Sequence, residues 1–251
     1  VHEYEVSVYN YHRTWCIIGL VGLFLLTLVV IGGKQGFKAV VGLIFTILCI
    51  VFILVPFCLK GHSPVLITCL VILITNIACY ALIGGIQIKT VTACMGSMCG
   101  VLVAAILAYI APQLTGLTTF QMDEAEALLL VKAEYPLQMR GLFISGILIA
   151  SMGAVMDIAM DIASSLDELH KHKPELNYKE LFKSGMNIGK DAMGTMANTL
   201  VLAFAGTSLN MMILIYSYGV SFTQLINTDF VAIEIIRAVA GSMGIVLTVP
   251  F

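Results

Sequence analysis

Long apolar runs alternate with short polar connections along this chain, and the length of each run is its first structural clue. Windows of about 19 residues select 15–32, 39–59, 64–82, 91–111, 141–163, 193–216 and 231–251. At about 1.5 Å per helical residue, runs of this length match a hydrocarbon core of about 30 Å. The expected fold is all-α: a polytopic transmembrane helix bundle with about seven spans and short interfacial helices. Residues 14–251 form that domain. The last run is interrupted by Glu234 and Arg237 and is still apolar at Pro250-Phe251.

Before the first run, 1–13 (VHEYEVSVYNYHR) is polar and aromatic, and its alternation favours a strand over 2–9. The chain also starts at Val1, and 1–13 is therefore read as the end of an extracytoplasmic segment whose beginning lies outside this sequence. Two connections carry helical signals of their own. Residues 118–131 open with hydroxyls, place Asp123, Glu124 and Glu126 near a helix start, and then turn apolar, as an interfacial helix does. In the long connection 164–190, Ser165-Leu166-Asp167-Glu168 has capping-box spacing, Pro174 breaks the segment, and Asn177-Tyr178-Lys179-Glu180 offers a second cap. Beyond it, Leu181, Phe182 and Met186 against Lys179, Lys183 and Lys190 suggest a short amphipathic helix over 177–188. It either lies on the membrane surface or packs on the bundle.

Composition agrees with the pattern. Hydrophobic residues make up 59% of the 251 residues and charged residues 11%, with a mean hydropathy of +0.99; soluble domains carry about a quarter charged residues. The net charge of −2 and lysines confined to connections leave no basic surface for nucleic acid. Lipid is the expected solvent. The connections after the first, third and fifth runs hold Lys34, Lys38, Lys89, Lys171, Lys173, Lys179, Lys183 and Lys190, whereas the alternate side holds Arg13, Lys60, Lys132 and Arg140. The positive-inside bias then puts the N-terminus outside and 164–190 in the cytoplasm. The seven cysteines fall mostly within apolar runs without a CxxC pair, as reduced packing thiols do.

Charge inside the apolar runs is where function is most legible. Asp157 and Asp161 lie within 141–163 at i, i+4, on one helix face. A carboxylate at that depth costs several kcal/mol, so it faces a bundle interior or a wet cavity and has a partner. Asp191, Thr195 and Asn198 share a face of the following span by i, i+4, i+7 spacing, at a depth matching the first pair. Carboxylates, an amide and a hydroxyl suit a hard cation or a proton relay. The five residues are thus the candidate ion or proton site, although Asp191 also fits as a cap at the start of its span, and hydrogen bonding between the two helices is the plainer alternative. Glu234 and Arg237, at i, i+3, form an intrahelical ion pair, or else serve as a gate or, through Arg237, as a contact to a substrate carboxylate. Asn76 and Asn210 fit interhelical hydrogen bonds. Glycine beside serine or threonine at Gly96-Ser97, Gly153, Gly194-Thr195, Gly206-Thr207-Ser208 and Gly241-Ser242 permits close helix approach or local unwinding.

Other chemistries find no motif. No phosphate-binding Walker loop, GxSxG turn or HExxH is present in the sequence. His170 and His172 flank a lysine in a charged loop, and His2 and His12 are unspecific. Two acids side by side on one helix also differ from the across-substrate placement used in hydrolysis, so no enzyme is expected.

The strings Gly153-Ala154-Val155-Met156-Asp157, Ile162-Ala163-Ser164-Ser165 with Glu168, and Gly189-Lys190-Asp191-Ala192-Met193-Gly194-Thr195-Met196-Ala197-Asn198-Thr199-Leu200 lead into Glu234-Ile235-Ile236-Arg237 and Gly241-Ser242-Met243-Gly244-Ile245-Val246-Leu247. Over 141–250 the chain resembles the YibE/F-like family of bacterial multi-spanning membrane proteins. The resemblance implies a plasma-membrane, multi-pass and permease-like protein, and its strings contain Asp157, Asp191, Thr195, Asn198, Glu234 and Arg237. The resulting expectation is a secondary transporter or permease for a small ion or solute, with a bound cation or a transferred proton. A non-transporting membrane scaffold is the alternative.

Overall fold

The computed structural model describes residues 13–85, 87–117, 128, 132 and 135–251. The expected strand over 2–9 and most of the expected interfacial helix over 118–131 lie outside the described residues. Among the described ones every regular element is helical.

Helix α1 (Thr14–Cys49) has a non-helical residue at Gly33, whose φ of 55° suits glycine. A Cβ added to Gly36 would strike the carbonyl of Leu28. In a straight helix those residues would be about 12 Å apart, so the chain bends sharply there and the first two apolar runs become separate spans. The second span continues through a π-helical turn (Ile50–Leu54) into α2 (Val55–Leu59). Pro56 accounts for the local change, because it supplies no N–H to the helical ladder and crowds the preceding turn.

The remaining helices are α3 (Pro64–Gly84), α4 (Ile88–Leu114), α5 (Met139–His172), α6 (Tyr178–Thr207), α7 (Leu209–Ser217), α8 (Phe222–Ile226) and α9 (Asp229–Thr248). Five helical stretches are long and apolar enough to cross a membrane, and the bent pair α6–α7 makes a sixth. Dividing the first stretch at Gly33 gives the expected seven spans.

Two expectations need correction, and one span carries a bend. The Ser165–Glu168 motif is not a cap, because α5 runs unbroken to His172. Lys171 bonds Asp167 at 2.7 Å and His172 lies 3.1 Å from Glu168, and these i, i+4 pairs support the extra turns. The amphipathic helix over 177–188 is not a separate element but the first third of α6. Its cap is as expected: Tyr178 donates its backbone N–H to Asn177 Oδ1 at 2.8 Å and the Asn177 N–H donates to Glu180 at 3.1 Å. The segment then packs on the bundle, with Gly185 against Leu166 and Gly189 against Ile162 and Val249. Finally, the run 193–216 is not straight; it bends by 56° at Ser208. Gly206, Thr207 and Ser208 are weak helix formers in succession, and the Thr207 hydroxyl donates to the Phe204 carbonyl at 2.8 Å.

Helix α5 occupies the centre, touching α3, α4, α6 and α9. Its inward residues Phe143, Ile144, Ile147, Leu148, Val155 and Ile158 are buried with Val101, Ala104 and Ala108 of α4 and Ile233, Ile236 and Ile245 of α9. Where α4 crosses α9, a Cβ at Gly100 would strike Thr248 and the Gly244 carbonyl. Small residues set that backbone approach, since helices in lipid gain association energy from close packing. Lys89 at the start of α4 reaches Asp167 of α5 at 3.9 Å, near the end of the bundle that carries the 173–177 turn.

Candidate functional site

Helices α5 and α6 form an antiparallel hairpin whose register is fixed by contacts. Gly185 meets Leu166, Gly189 meets Ile162, and Leu200 and Ser151 meet at Gly241. Continued between those contacts, this register sets Asp157 level with Gly194 and Asp161 level with Lys190. The depth match anticipated for the five candidate residues therefore follows from the packing.

Their directions differ from the expectation. Asp157 and Asp161 lie on the outward line of α5, in series with Gly146, Ala150 and Gly153, and all five residues are exposed. A cavity of about 260 Å³ opens there, lined by Tyr80 and Ile83 of α3, Met156, Asp157, Met160 and Asp161 of α5, and Met196 of α6. An adjoining apolar cavity of about 320 Å³ shares Ile83 and Met156 and continues between α1, α3 and α5 past Thr46, Thr75 and Gly153. Toward the 173–177 turn, Ser164, Ser165 and Glu168 of α5 and Ile188 of α6 line another recess. The first two adjoin and form a groove along α5.

Asp191, Thr195 and Asn198 are exposed as well. At about 100° per residue, Asp191 and Asn198 lie roughly opposite the buried line of Gly185, Gly189 and Leu200. Thr195 is nearer the groove, and its hydroxyl donates to the Ala192 carbonyl at 2.8 Å. Helix α6 begins at Tyr178, so Asp191 stands mid-helix and is not a cap. The structure thus sets the two polar groups at one depth without bringing them together in one cavity. Among the described residues, no three His, Cys, Asp or Glu side chains gather closely enough to hold a metal ion.

The groove wall contains a residue that sequence reasoning missed. Tyr80 is buried, and its hydroxyl donates to the Met156 carbonyl at 3.0 Å, fixing α3 beside Asp157. One turn away, Asn76 is buried and donates to Ser97 of α4 at 3.2 Å, the interhelical bond expected of it. Its Oδ1 is buried without a partner among the described residues. The i, i+4 spacing of Asn76 and Tyr80 was the available signal. Asn210, by contrast, is exposed.

Glu234 and Arg237 form the intrahelical pair. The Arg237 guanidinium also stacks over Phe143 at 5.5 Å. Glu234 is buried, and its second oxygen has no partner among the described residues. The pair is thus packed against α5, and neither residue lines the Asp157 cavity. All seven cysteines are free thiols, as expected.

Two carboxylates on an open cavity at membrane depth can attract a cation or exchange a proton, and nothing on their own helix neutralises them. A family model described as YibE/F-like protein matches residues 20–251. No curated protein and no solved structure matches the chain.

Proposed function

As the chain belongs to the YibE/F-like protein family, we propose that it is a secondary transporter or permease of the bacterial plasma membrane, with a cation- or proton-linked site at Asp157. The observation that supports this reading is the cavity that Asp157 and Asp161 share with Tyr80. An intramembrane acid that opens on a cavity instead of pairing within the fold marks an ion pathway more often than a structural contact. Asp157 is the principal acid, with its carboxylate in the cavity and Tyr80 holding the opposite wall. Asp161, one turn closer to the lysine-rich end, is the second.

Orientation follows the lysines. The 173–177 turn, with its flanking Lys171, Lys173, Lys179 and Lys183, lies in the cytoplasm, and the N-terminus lies outside. The Asp157 cavity then belongs to the cytoplasmic half of the membrane.

The test is flux. Purified chain reconstituted in proteoliposomes should move a cation or proton down an imposed gradient, and Asp157→Asn should abolish that movement without loss of folded protein. Uptake unchanged by the substitution, across a panel of cations and pH gradients, would overturn the reading. A second reading, a membrane scaffold, draws on the exposed Tyr178 and Phe182 beside Lys179 and Lys183 at the start of α6. A defined protein that co-purifies with the chain, and is lost when both lysines are neutralised while proteoliposomes remain inert, would favour it.

A further inference from the structure

Sulfur lines the groove beside the two acids. Met156 and Met160 of α5 and Met196 of α6 border the cavity of Asp157 and Asp161. Met152, Met156 and the thiol of Cys79 border the adjoining one. On α5 the thioethers recur at 152, 156 and 160, an i, i+4 stripe in which the last two directly precede the acids. Methionine in a core fills space. Here Met156, Met160 and Met196 are only partly buried and border open volume.

Neighbouring contacts fix several of these sulfurs in place. The Thr75 hydroxyl donates to Met152 Sδ at 3.8 Å. One turn along α3, the Cys79 thiol donates to the Gly42 carbonyl at 3.8 Å. Met160 lies over Gly84, where an added Cβ would strike its terminal methyl group. Positions four apart on a helix are separated by about 5–6 Å at Cβ, so two flexible thioethers on neighbouring turns reach one ion between them. Met156 borders both cavities and joins them.

The lining also says which kind of ion fits. A hard cation is held by an oxygen shell, about six ligands for Mg²⁺ and six to eight for Ca²⁺. Of the side chains around the Asp157 cavity, oxygen comes only from the two acids and Tyr80, and the rest are three thioethers and Ile83. Thr195 and Asn198 stand outside that lining. Thioether and thiol ligands select Cu(I), and the carboxylates supply the charge that holds a cation at membrane depth.

We propose that the groove binds a soft monovalent cation of the Cu(I) type between Met156, Met160 and Met196, with Asp157 and Asp161 balancing its charge. Met152, Met156 and Cys79 form a second station in the adjoining cavity. That this ion is the one moved across the membrane rests on the transport reading, whereas the binding does not.

Copper binding tests it. The purified chain, kept reduced with ascorbate, is titrated with Cu(I) against a chromophoric Cu(I) chelator. It should hold Cu(I), and Met156→Leu with Met160→Leu should weaken binding by at least about tenfold, the loss that follows from removing even an outer partner of a metal site. Leucine conserves the volume of methionine. Met243→Leu, at an exposed position of α9 outside both cavities, should leave binding unchanged. Binding that is indifferent to the double substitution, equally weakened by Met243→Leu, or displaced by excess Na⁺ or Mg²⁺ would overturn the site. Chain grown with selenomethionine gives a reading that needs no variant: X-ray absorption at the selenium edge should show copper beside selenium, and copper held by cysteine sulfur alone would overturn the proposal. Flux separates the two ideas. Cu(I) bound without flux of any ion supports the site and refutes transport, and flux of another cation without Cu(I) binding overturns the site and leaves transport standing.

Discussion

Two pairs of charged residues sit inside the spans of this protein, and the fold treats them in opposite ways. Glu234 and Arg237 carry opposite charges and bond to each other between packed helices, with Arg237 stacked on Phe143. Asp157 and Asp161 carry the same charge, have no hydrogen-bonding partner among the described residues and open on a cavity. The spacing along the helix is nearly the same in both pairs. What differs is that the first pair is neutral as a unit and can be enclosed, whereas the second stays exposed until an external group meets it.

The largest expected effect breaks the enclosed pair. Arg237→Ala leaves the buried Glu234 carboxylate unpaired and should destabilise the chain by about 3–5 kcal/mol, read from unfolding in detergent. Replacing both residues, by Glu234→Gln with Arg237→Met, should recover most of the loss. Asp157→Asn in the same assay should change stability by less than about 1 kcal/mol. An equal loss at both sites would erase the distinction between enclosed and open charge.

A smaller effect tests the surfaces around the two pairs. Near the enclosed one, Gly100→Ala drives a Cβ against the Gly244 carbonyl and Thr248, and should cost about 1–3 kcal/mol. Along the open line of α5, Gly153→Ala meets nothing and should gain up to about 1 kcal/mol of helix propensity. Opposite signs sharpen the comparison, and a shared penalty would mean that the α5 line is covered within the chain.

The smallest expected effect concerns the cavity wall. Tyr80→Phe removes the hydrogen bond to the Met156 carbonyl and should cost about 1 kcal/mol. Its reading is the same unfolding measurement, combined with amide exchange at the Asp157 turn. A loss with faster exchange would show that Tyr80 stiffens the wall beside Asp157, and unchanged exchange would show that it does not.

Much of this architecture was legible in the sequence. Run lengths gave the spans, Asn177-Tyr178-Lys179-Glu180 gave the start of a helix, and the spacing of Glu234 and Arg237 gave their pair. The Ser165–Glu168 motif misled because a capping box and two i, i+4 pairs on a continuing helix share the same residues, and only the chain beyond them decides between the two. The helical segment over 177–188 left membrane surface and bundle open for a related reason. Amphipathic spacing marks a helix with two unlike faces but not what covers the apolar one, and Gly185 and Gly189 turned it onto Leu166, Ile162 and Val249.

The candidate site shows the division most clearly. Sequence alone determined that Asp157, Asp161, Asp191, Thr195 and Asn198 lie in or beside apolar helical runs, and on which face of each helix, because apolar run length and helical periodicity are local properties. Only the tertiary structure decided which way those faces point. In water an apolar face must turn inward, so periodicity reveals direction. In a membrane the lipid is as apolar as the core, and close contact at small residues such as Gly185, Gly189 and Gly241 chooses the packed side instead. That choice left the polar face of α6 turned away from the bundle and the acids of α5 open on a cavity.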